Sequence, residues 1–260
     1  MSGLRFFSMG SGSDGNCYYL GTEHYGILID AGLSYKRIIK RLKDKKIDIS
    51  DIYGIILTHG HADHVRGAKT ISEKNHTPFY ATKETFNLIS TGYRSIYNIN
   101  STDQKEINEF ETFEIGEFKI KAFPVKHDVP TVGFVIEARG LFITIATDLG
   151  EGSEFLNKSI KESDYLVIEA NYDKEMLLKG TYPAALKNRI ISNSGHLCNE
   201  QTSDIIKQFA SDKLKKIFIC HMSAHNNTTE AVKNSLNDCL PAHTQMIILP
   251  RQEPTMLIEL

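Results

Sequence analysis

Ile52-Tyr53-Gly54-Ile55-Ile56-Leu57-Thr58 runs directly into His59-Gly60-His61-Ala62-Asp63-His64. The first seven residues have the apolar, β-branched character of a buried strand. The next six put three imidazoles and a carboxylate into one glycine-softened loop. In extended backbone alternate side chains share a face, so His59 and His61 converge on one point. Asp63 and His64 then turn toward a second point close by. Imidazole nitrogen and carboxylate oxygen are ligands for zinc and similar divalent ions. A structural role explains one isolated histidine but not this set.

Four side chains from one loop do not complete two metal sites. The remaining ligands are expected where other buried strands end. His127 follows the run Ile120–Val125, Asp148 follows Phe142–Ala146 and His221 follows Ile217–Cys220. All three come directly after apolar runs, which places them at one edge of a sheet assembly.

The rest of the chain supplies that assembly. Apolar runs at Leu4–Met9, Cys17–Leu20 and Tyr25–Ile29, the first two separated by the turn Gly10–Asn16, read as antiparallel strands. Ser34 caps a helix with Ile38, Ile39 and Leu42 inward and Lys36, Arg37, Lys40, Arg41 and Lys43 on a solvated face. Further strands are expected at Pro78–Ala81, Glu117–Val125, Thr131–Ala138, Leu141–Ala146, Leu166–Ala170, Lys216–Cys220, Met246–Leu249 and Thr255–Leu260. Helices are expected at Thr82–Ser90, Tyr182–Ile191, Asn199–Ala210 and Thr228–Asp238. No Pro/Ser-rich linker divides the chain. The expectation is one α/β domain over residues 1–260, with two sheets packed face to face and helices outside, a four-layer αββα sandwich.

Composition bounds the function. The 260 residues are 41% hydrophobic and 24% charged with seven prolines, so the chain is globular and not disordered. Thirty Lys and Arg stand against 32 Asp and Glu, a formal net charge of −2. That excludes a generally basic nucleic-acid binder, so any contact with nucleic acid needs a local patch or a metal site. Cys17, Cys198, Cys220 and Cys239 form no CxxC pair and read as reduced thiols. The N-terminus lacks the apolar stretch of a signal peptide, and no window approaches a membrane span of roughly 18 apolar residues. The expected location is cytoplasmic.

The pattern HxHxDH, followed by a distant His, an Asp and a His, resembles the metallo-β-lactamase superfamily. The resemblance narrows to the YycJ/WalJ subfamily of bacterial metallo-hydrolases. It is carried by SGSDGN (Ser11–Asn16), LIDAGLS (Leu28–Ser34), KHDVPTVGF (Lys126–Phe134), TDLG (Thr147–Gly150), the IEAN stretch, YPAALKNRI (Tyr182–Ile190), GHLCNE and HMSAHNN. It implies a metallo-β-lactamase sandwich with a dinuclear site at one edge. His59, His61 and His127 would hold one metal, Asp63, His64 and His221 the other, and Asp148 would bridge them. The chain departs from the family where Tyr172 replaces a common His after EAN and Cys198 replaces a common Ser after GHL.

Two divalent cations, zinc or manganese, outweigh Asp63, Asp148 and a hydroxide by one positive charge. Such a site suits a phosphodiester and supplies hydroxide at neutral pH. His196 precedes the helix that starts at Asn199, where it can bind a phosphate oxygen or protonate a leaving oxygen. It resembles the extra histidine of the superfamily's phosphodiesterase branches. The expected catalytic residues are Asp63 and His196. Expected substrate contacts are Ser13, Asn16, Arg189, Ser223 and Asn226, with the Lys36/Arg37/Lys40/Arg41 face as a basic patch. The expected function is a metal-dependent phosphodiesterase acting on nucleic acid. The subfamily resemblance implies a 5′-to-3′ DNA exonuclease with a link to DNA repair. Two alternatives stay open: a small-molecule hydrolase of a cyclic phosphodiester, lactone or thioester, and a non-catalytic signalling partner. The sequence leaves the oligomeric state open.

Overall fold

The apolar runs near the N-terminus become β1 (Arg5–Gly10), β2 (Cys17–Gly21) and β3 (Gly26–Ile29), an antiparallel meander with almost every residue buried. The computed structural model describes residues 3–260. From β3 onward the pairing changes to parallel. Helix α1 (Tyr35–Asp44) carries the chain back to β4 (Ile52–Ile56), and α2 (Ala62–Val65) and α3 (Ala68–Asn75) lead to β5 (Phe79–Ala81). Helix α4 (Lys83–Ser90) leads to β6 (Gln104–Glu106). β3, β4, β5 and β6 pair in parallel, with Ile29 level with Ile56. A hairpin of β7 (Thr112–Ile115) and β8 (Phe118–Val125) follows.

The chain divides into two compact units, and the division falls inside β8, after Ala122. The second unit, Phe123–Leu249, repeats the logic of the first. It contains β9 (Thr131–Ala138), β10 (Leu141–Ala146), α5 (Glu154–Glu162), β11 (Tyr165–Glu169), α6 (Lys174–Lys179), α7 (Ala184–Ile191), α8 (Asn199–Phe209), β12 (Lys216–Cys220), α9 (Thr229–Leu236) and β13 (Gln245–Ile248). β9 and β10 are antiparallel, whereas β10, β11, β12 and β13 are parallel. The chain then returns to the first unit, where β14 (Ile258–Glu259) pairs with β1.

Each unit has its own core. Phe7, Tyr19, Leu28, Ile38, Leu42, Leu57, Ile71 and Phe79 belong to that of the first. Ala146, Leu156, Ile160, Ile168, Leu197, Ile206, Ile219 and Val232 belong to that of the second. Ile38 and Leu42, and likewise Leu156 and Ile160, sit four residues apart and present one helix face to the strands. Arg41, expected on the solvated face of α1, is buried, because its guanidinium reaches the Gln252 carbonyl. No described helix is long and apolar enough to cross a membrane.

Candidate metal centre

Both units place histidines just beyond the carboxyl ends of parallel strands, His59, His61 and His64 after β4 and His221 after β12. Open sheets bind ligands there, because neighbouring strands end level with one another and their following loops diverge. In the first unit β3 ends at Ile29 and β4 at Ile56, so Asp30 meets Thr58 across the gap. Asp30 Oδ1 accepts from the Thr58 backbone N–H at 2.8 Å, and its Oδ2 faces His64 Nδ1 at 2.7 Å. The Thr58 hydroxyl donates to the same carboxylate and lies 3.0 Å from His59 Nδ1.

This arrangement fixes protonation. His64 Nδ1 faces a carboxylate and therefore carries the proton, which turns Nε2 toward Asn16 and Asp63 as the ring's ligand atom. His64 Nε2 lies 3.0 Å from Asn16 Nδ2 and 3.5 Å from Asp63 Oδ2. His59 Nε2 and His61 Nδ1 stand 3.0 Å apart. Two ligands at about 2.0–2.1 Å from one tetrahedral ion are separated by about 3.4 Å, so these nitrogens converge as a pair of ligands does. Asn16 is buried, and its backbone N–H donates to the Asp63 carbonyl at 2.7 Å. Gly32 is needed beside it, since a Cβ there would lie 1.6 Å from that same carbonyl. Ser13 is exposed in the turn before Asn16.

In the second unit the anchor is Glu169, the last residue of β11 and fully buried. Its Oε2 lies 3.0 Å from His196 Nδ1 and 3.3 Å from His221 Nδ1. Its Oε1 accepts from the backbone N–H groups of Leu149 at 2.8 Å and Leu197 at 3.2 Å. One carboxylate thus orients two imidazoles and ties together the loops after β10 and before α8. His221 Nε2 points toward Asp148 Oδ1 at 3.5 Å. Ligand atoms of Asp148, His196 and His221 lie within 4.8 Å of one another. The donor set of imidazole nitrogens and a carboxylate, with proton-bearing Nδ1 atoms held from behind, fits a divalent ion. His127 Nδ1 is held by the Gly195 carbonyl at 3.1 Å, and its ring lies 5.3 Å from that of His196.

The two anchors differ in charge balance. Burial is the larger influence on Asp30 and raises its carboxyl above the ordinary range despite His64 and Thr58. Burial also opposes ionisation of Glu169. There the charge and hydrogen bond of His196 and the hydrogen bond of His221 more than offset it and hold the carboxyl below the ordinary range.

Backbone strain marks the same positions. Asp30, Asp148 and His221 adopt left-handed conformations with φ of 61°, 58° and 53°. Such a conformation costs a non-glycine residue about 1–2 kcal/mol. Each lies just beyond a parallel strand, where the turn swings the side chain off the strand axis.

The family model of the beta-lactamase superfamily domain matches residues 25–222. This chain belongs to that superfamily. Within it the chain falls in the YycJ/WalJ branch. It is 35% identical to the exodeoxyribonuclease YycJ of Bacillus anthracis, over 92% of this chain and 89% of that one. It is 33% identical to the exodeoxyribonuclease WalJ of Streptococcus pneumoniae, over 88% of this chain and 85% of that one. Its fold matches the metallo-β-lactamase fold protein YhfI of Bacillus subtilis, with a TM-score of 0.70 at 15% identity, covering 97% of this chain and 99% of that one. The chain therefore has the αββα metallo-β-lactamase sandwich fold and is a hydrolase whose His/Asp clusters are suited to metal.

Other residues singled out in the sequence fall around these clusters. Arg189 pairs with Asp128 through Nε at 3.0 Å and through Nη2. Asp128 in turn lies 3.2 Å from His127 Nε2, so Arg189 reaches the histidine through a carboxylate. Ser223 Oγ accepts from the Asn226 backbone N–H at 3.2 Å, and the Asn226 side chain is buried. These two residues shape the loop after His221. The two departures from the subfamily pattern turn out to be neighbours. Tyr172 and Cys198 form a backbone bridge and share a small apolar cluster with Leu177. Cys198 caps α8 through its sulfur, and burial pushes its thiol up to about 11.

Asp30 and Glu169 went unassigned in the sequence. The available signal was a carboxylate inside or at the end of an apolar strand run, Leu28-Ile29-Asp30 and Leu166-Val167-Ile168-Glu169, where an unpaired charge is costly.

Proposed function

We propose that this protein is a cytoplasmic, dinuclear-metal phosphodiesterase that degrades DNA from the 5′ end. The observation that carries this reading is 35% identity, over nine-tenths of the chain, to a protein named as an exodeoxyribonuclease. The reading treats residues 1–260 as one domain in which both histidine sets serve the same pair of ions. His59, His61 and His127 would hold one ion, Asp63, His64 and His221 the other, and Asp148 would serve both. Zinc or manganese suits these ligands. When bound, the ions supply positive charge for the phosphoryl oxygens and a water of lowered pKa.

The chain's own residues do the rest. Asp30 and Glu169 keep the Nδ1 protons in place, so that each ring presents its other nitrogen. Asn16 fixes Asp63 and His64 relative to one another. His196 is 19% exposed, and its Nδ1 lies 3.0 Å from the Glu169 carboxylate, which orients the ring. It is therefore placed to hold a proton beside Asp148 and pass it to the leaving oxygen. Asp63 has the complementary catalytic role of holding the attacking water. Arg189, Ser13, Ser223 and Asn226 shape the surround in which the substrate lies.

The test is incubation of metal-loaded protein with 5′- and 3′-labelled single- and double-stranded DNA and RNA. Stepwise release from the 5′ end of DNA is the expected result. Hydrolysis of a cyclic phosphodiester, lactone or thioester with no attack on any nucleic-acid end overturns the reading and favours a small-molecule hydrolase. A protein inert toward all of these favours a signalling partner.

A further inference from the structure

The turn that carries Asn16 also gathers four arginines. Two residues before Asn16, the Asp14 carbonyl accepts from Arg66 Nη1 at 2.7 Å. The Asp14 carboxylate accepts from Arg251 Nη2 at 3.2 Å and from Gln252 Nε2 at 2.8 Å. The Gln252 carbonyl accepts from Arg37 Nη2 at 3.3 Å and from Arg41 Nη2. These arginines come from α1, from the residue just after α2 and from the C-terminal tail. Arg66 lies two residues beyond His64, and Asn16 contacts both His64 and Asp63.

Four guanidinium groups stand here against the Asp14 carboxylate and the Glu253 charge that acts on Arg41. Among the described residues, Asp14 is the one carboxylate that forms a salt bridge with any of the four guanidinium groups, through Arg251. Arg41 Nη1 and Arg251 Nε are buried with no hydrogen-bond partner. Burial, and next the neighbouring Arg37 charge, lower the Arg41 guanidinium from its ordinary value. Tying the tail to the turn requires one donor and one acceptor. Holding four like charges together costs stability that a tie does not explain. Arg66 is exposed and Arg37 half-buried, so both can meet a ligand. In a chain of net charge −2 this is a local concentration of positive charge built against the metal loop.

We propose that Arg37, Arg66 and Arg251, set around Asp14, form a clamp for the backbone phosphates that adjoin the cleaved one on the same DNA strand. This rests on the nuclease reading and deepens it. A guanidinium presents up to five N–H donors in a planar fork that matches two phosphate oxygens, and Arg66 uses one of them on Asp14. The phosphates of one strand of a duplex advance by about 3.4 Å of helix axis per nucleotide. Asp14 lies two residues before Asn16, which contacts Asp63 and His64, so a strand with one phosphate at that loop runs its next ones toward the Asp14 turn. Asp14 keeps Arg251 and the tail in position without neutralising the group.

The experiment measures binding of a fluorescein-labelled single-stranded phosphorothioate DNA by fluorescence anisotropy, across a series of NaCl concentrations. The full-length, metal-loaded protein is compared with Arg66→Gln, Arg37→Gln and the double variant. Each neutralised phosphate contributes about 0.7 to the salt slope for a single strand. The slope should fall by about that amount for each arginine removed. Arg66→Lys should restore it, while Lys158→Gln, which removes the same charge from the exposed face of α5, should leave it unchanged. A double variant with the wild-type slope, in a protein that still degrades DNA, overturns the clamp and leaves the nuclease reading standing. A wild-type protein that hydrolyses bis(4-nitrophenyl) phosphate but binds no DNA at any salt overturns both.

Discussion

The two histidine sets are built by the same device and held with different force. In the first unit Asp30 serves one imidazole directly and reaches a second through the Thr58 hydroxyl. In the second unit Glu169 serves two imidazoles and two backbone N–H groups. Both anchors are fully buried, yet burial prevails at Asp30 and the histidines prevail at Glu169. Equal depth thus leads to opposite outcomes, because at Glu169 the charge of His196 and the hydrogen bonds of His196 and His221 outweigh burial, whereas at Asp30 the charge of His64 and the hydrogen bonds of His64 and Thr58 do not. The sets also differ in access. His64 is closed off, whereas His196 keeps an opening to solvent. On the proposed function the first set would hold an ion and the second would hold an ion and move a proton.

The largest expected effect separates those two jobs. His196→Ala should keep the fold and the metal content while turnover of a phosphodiester falls by about 10²–10⁴-fold, the range for a positioned acid or base. Steady-state kinetics with parallel metal analysis reads both, and an unchanged rate returns His196 to a structural role. The next contrast is between the anchors. Asp30→Asn and Glu169→Gln should each weaken metal affinity or activity by about 10–100-fold, as loss of a carboxylate behind a ligand does. Glu169→Gln should be the worse, because two rings lose their partner. A reversed order in metal titrations would contradict the comparison.

A smaller effect lies in pH, in chelated protein. The Glu169 carboxyl is depressed by folding, so its contribution to stability is present above the ordinary carboxylate range and lost as pH falls through its folded value. The Asp30 carboxyl is raised, so its contribution is present at acid pH and lost as pH rises through its folded value. Denaturant titrations between about pH 3 and pH 6, spanning the ordinary carboxylate range, should therefore show opposite trends. Relative to Glu169→Gln, the wild type gains stability with rising pH; relative to Asp30→Asn, it loses stability. Parallel trends for the two variants would sink the assignment of opposite balances. The smallest effect tests the Tyr172–Cys198 pair. Tyr172→His and Cys198→Ser, made singly and together, should show a coupling energy of about 0.5–3 kcal/mol, as residues in contact do. Additive changes in a double-mutant cycle would separate the two positions.

The same contrast explains what was legible in the sequence. The first set is local: His59, His61, Asp63 and His64 sit within six residues, and no other reading accommodates them. The second set is dispersed from His127 to His221, and its sequence signal is position just after a strand, as the ends of β8, β10 and β12 show for His127, Asp148 and His221. Glu169 was hidden because a carboxylate inside an expected apolar strand carries no periodic signal. Its role exists once β10 and the Leu197 segment are brought to β11. Helices α5 and α6 and strand β6 leave little trace in the sequence for a different reason. α5 starts at a Ser153 cap and has only Leu156 and Ile160 fully on its apolar face, too short a pattern to stand out among charges. Left-handed φ at Asp30, Asp148 and His221 belongs to residues that have no intrinsic preference strong enough to announce it. Arg41 was read from its place on a charged helix, whereas its partner lies more than two hundred residues away at Gln252.

On the proposed function the Asp30-held and Glu169-held sets would together serve one pair of ions. Metal analysis of gently purified protein tests it most directly, with the wild type measured beside Asp148→Ala. The account predicts close to two divalent ions per chain in the wild type and depletion of both in Asp148→Ala. A wild-type protein that degrades DNA with one ion or none, or an Asp148→Ala variant that retains both, would contradict it.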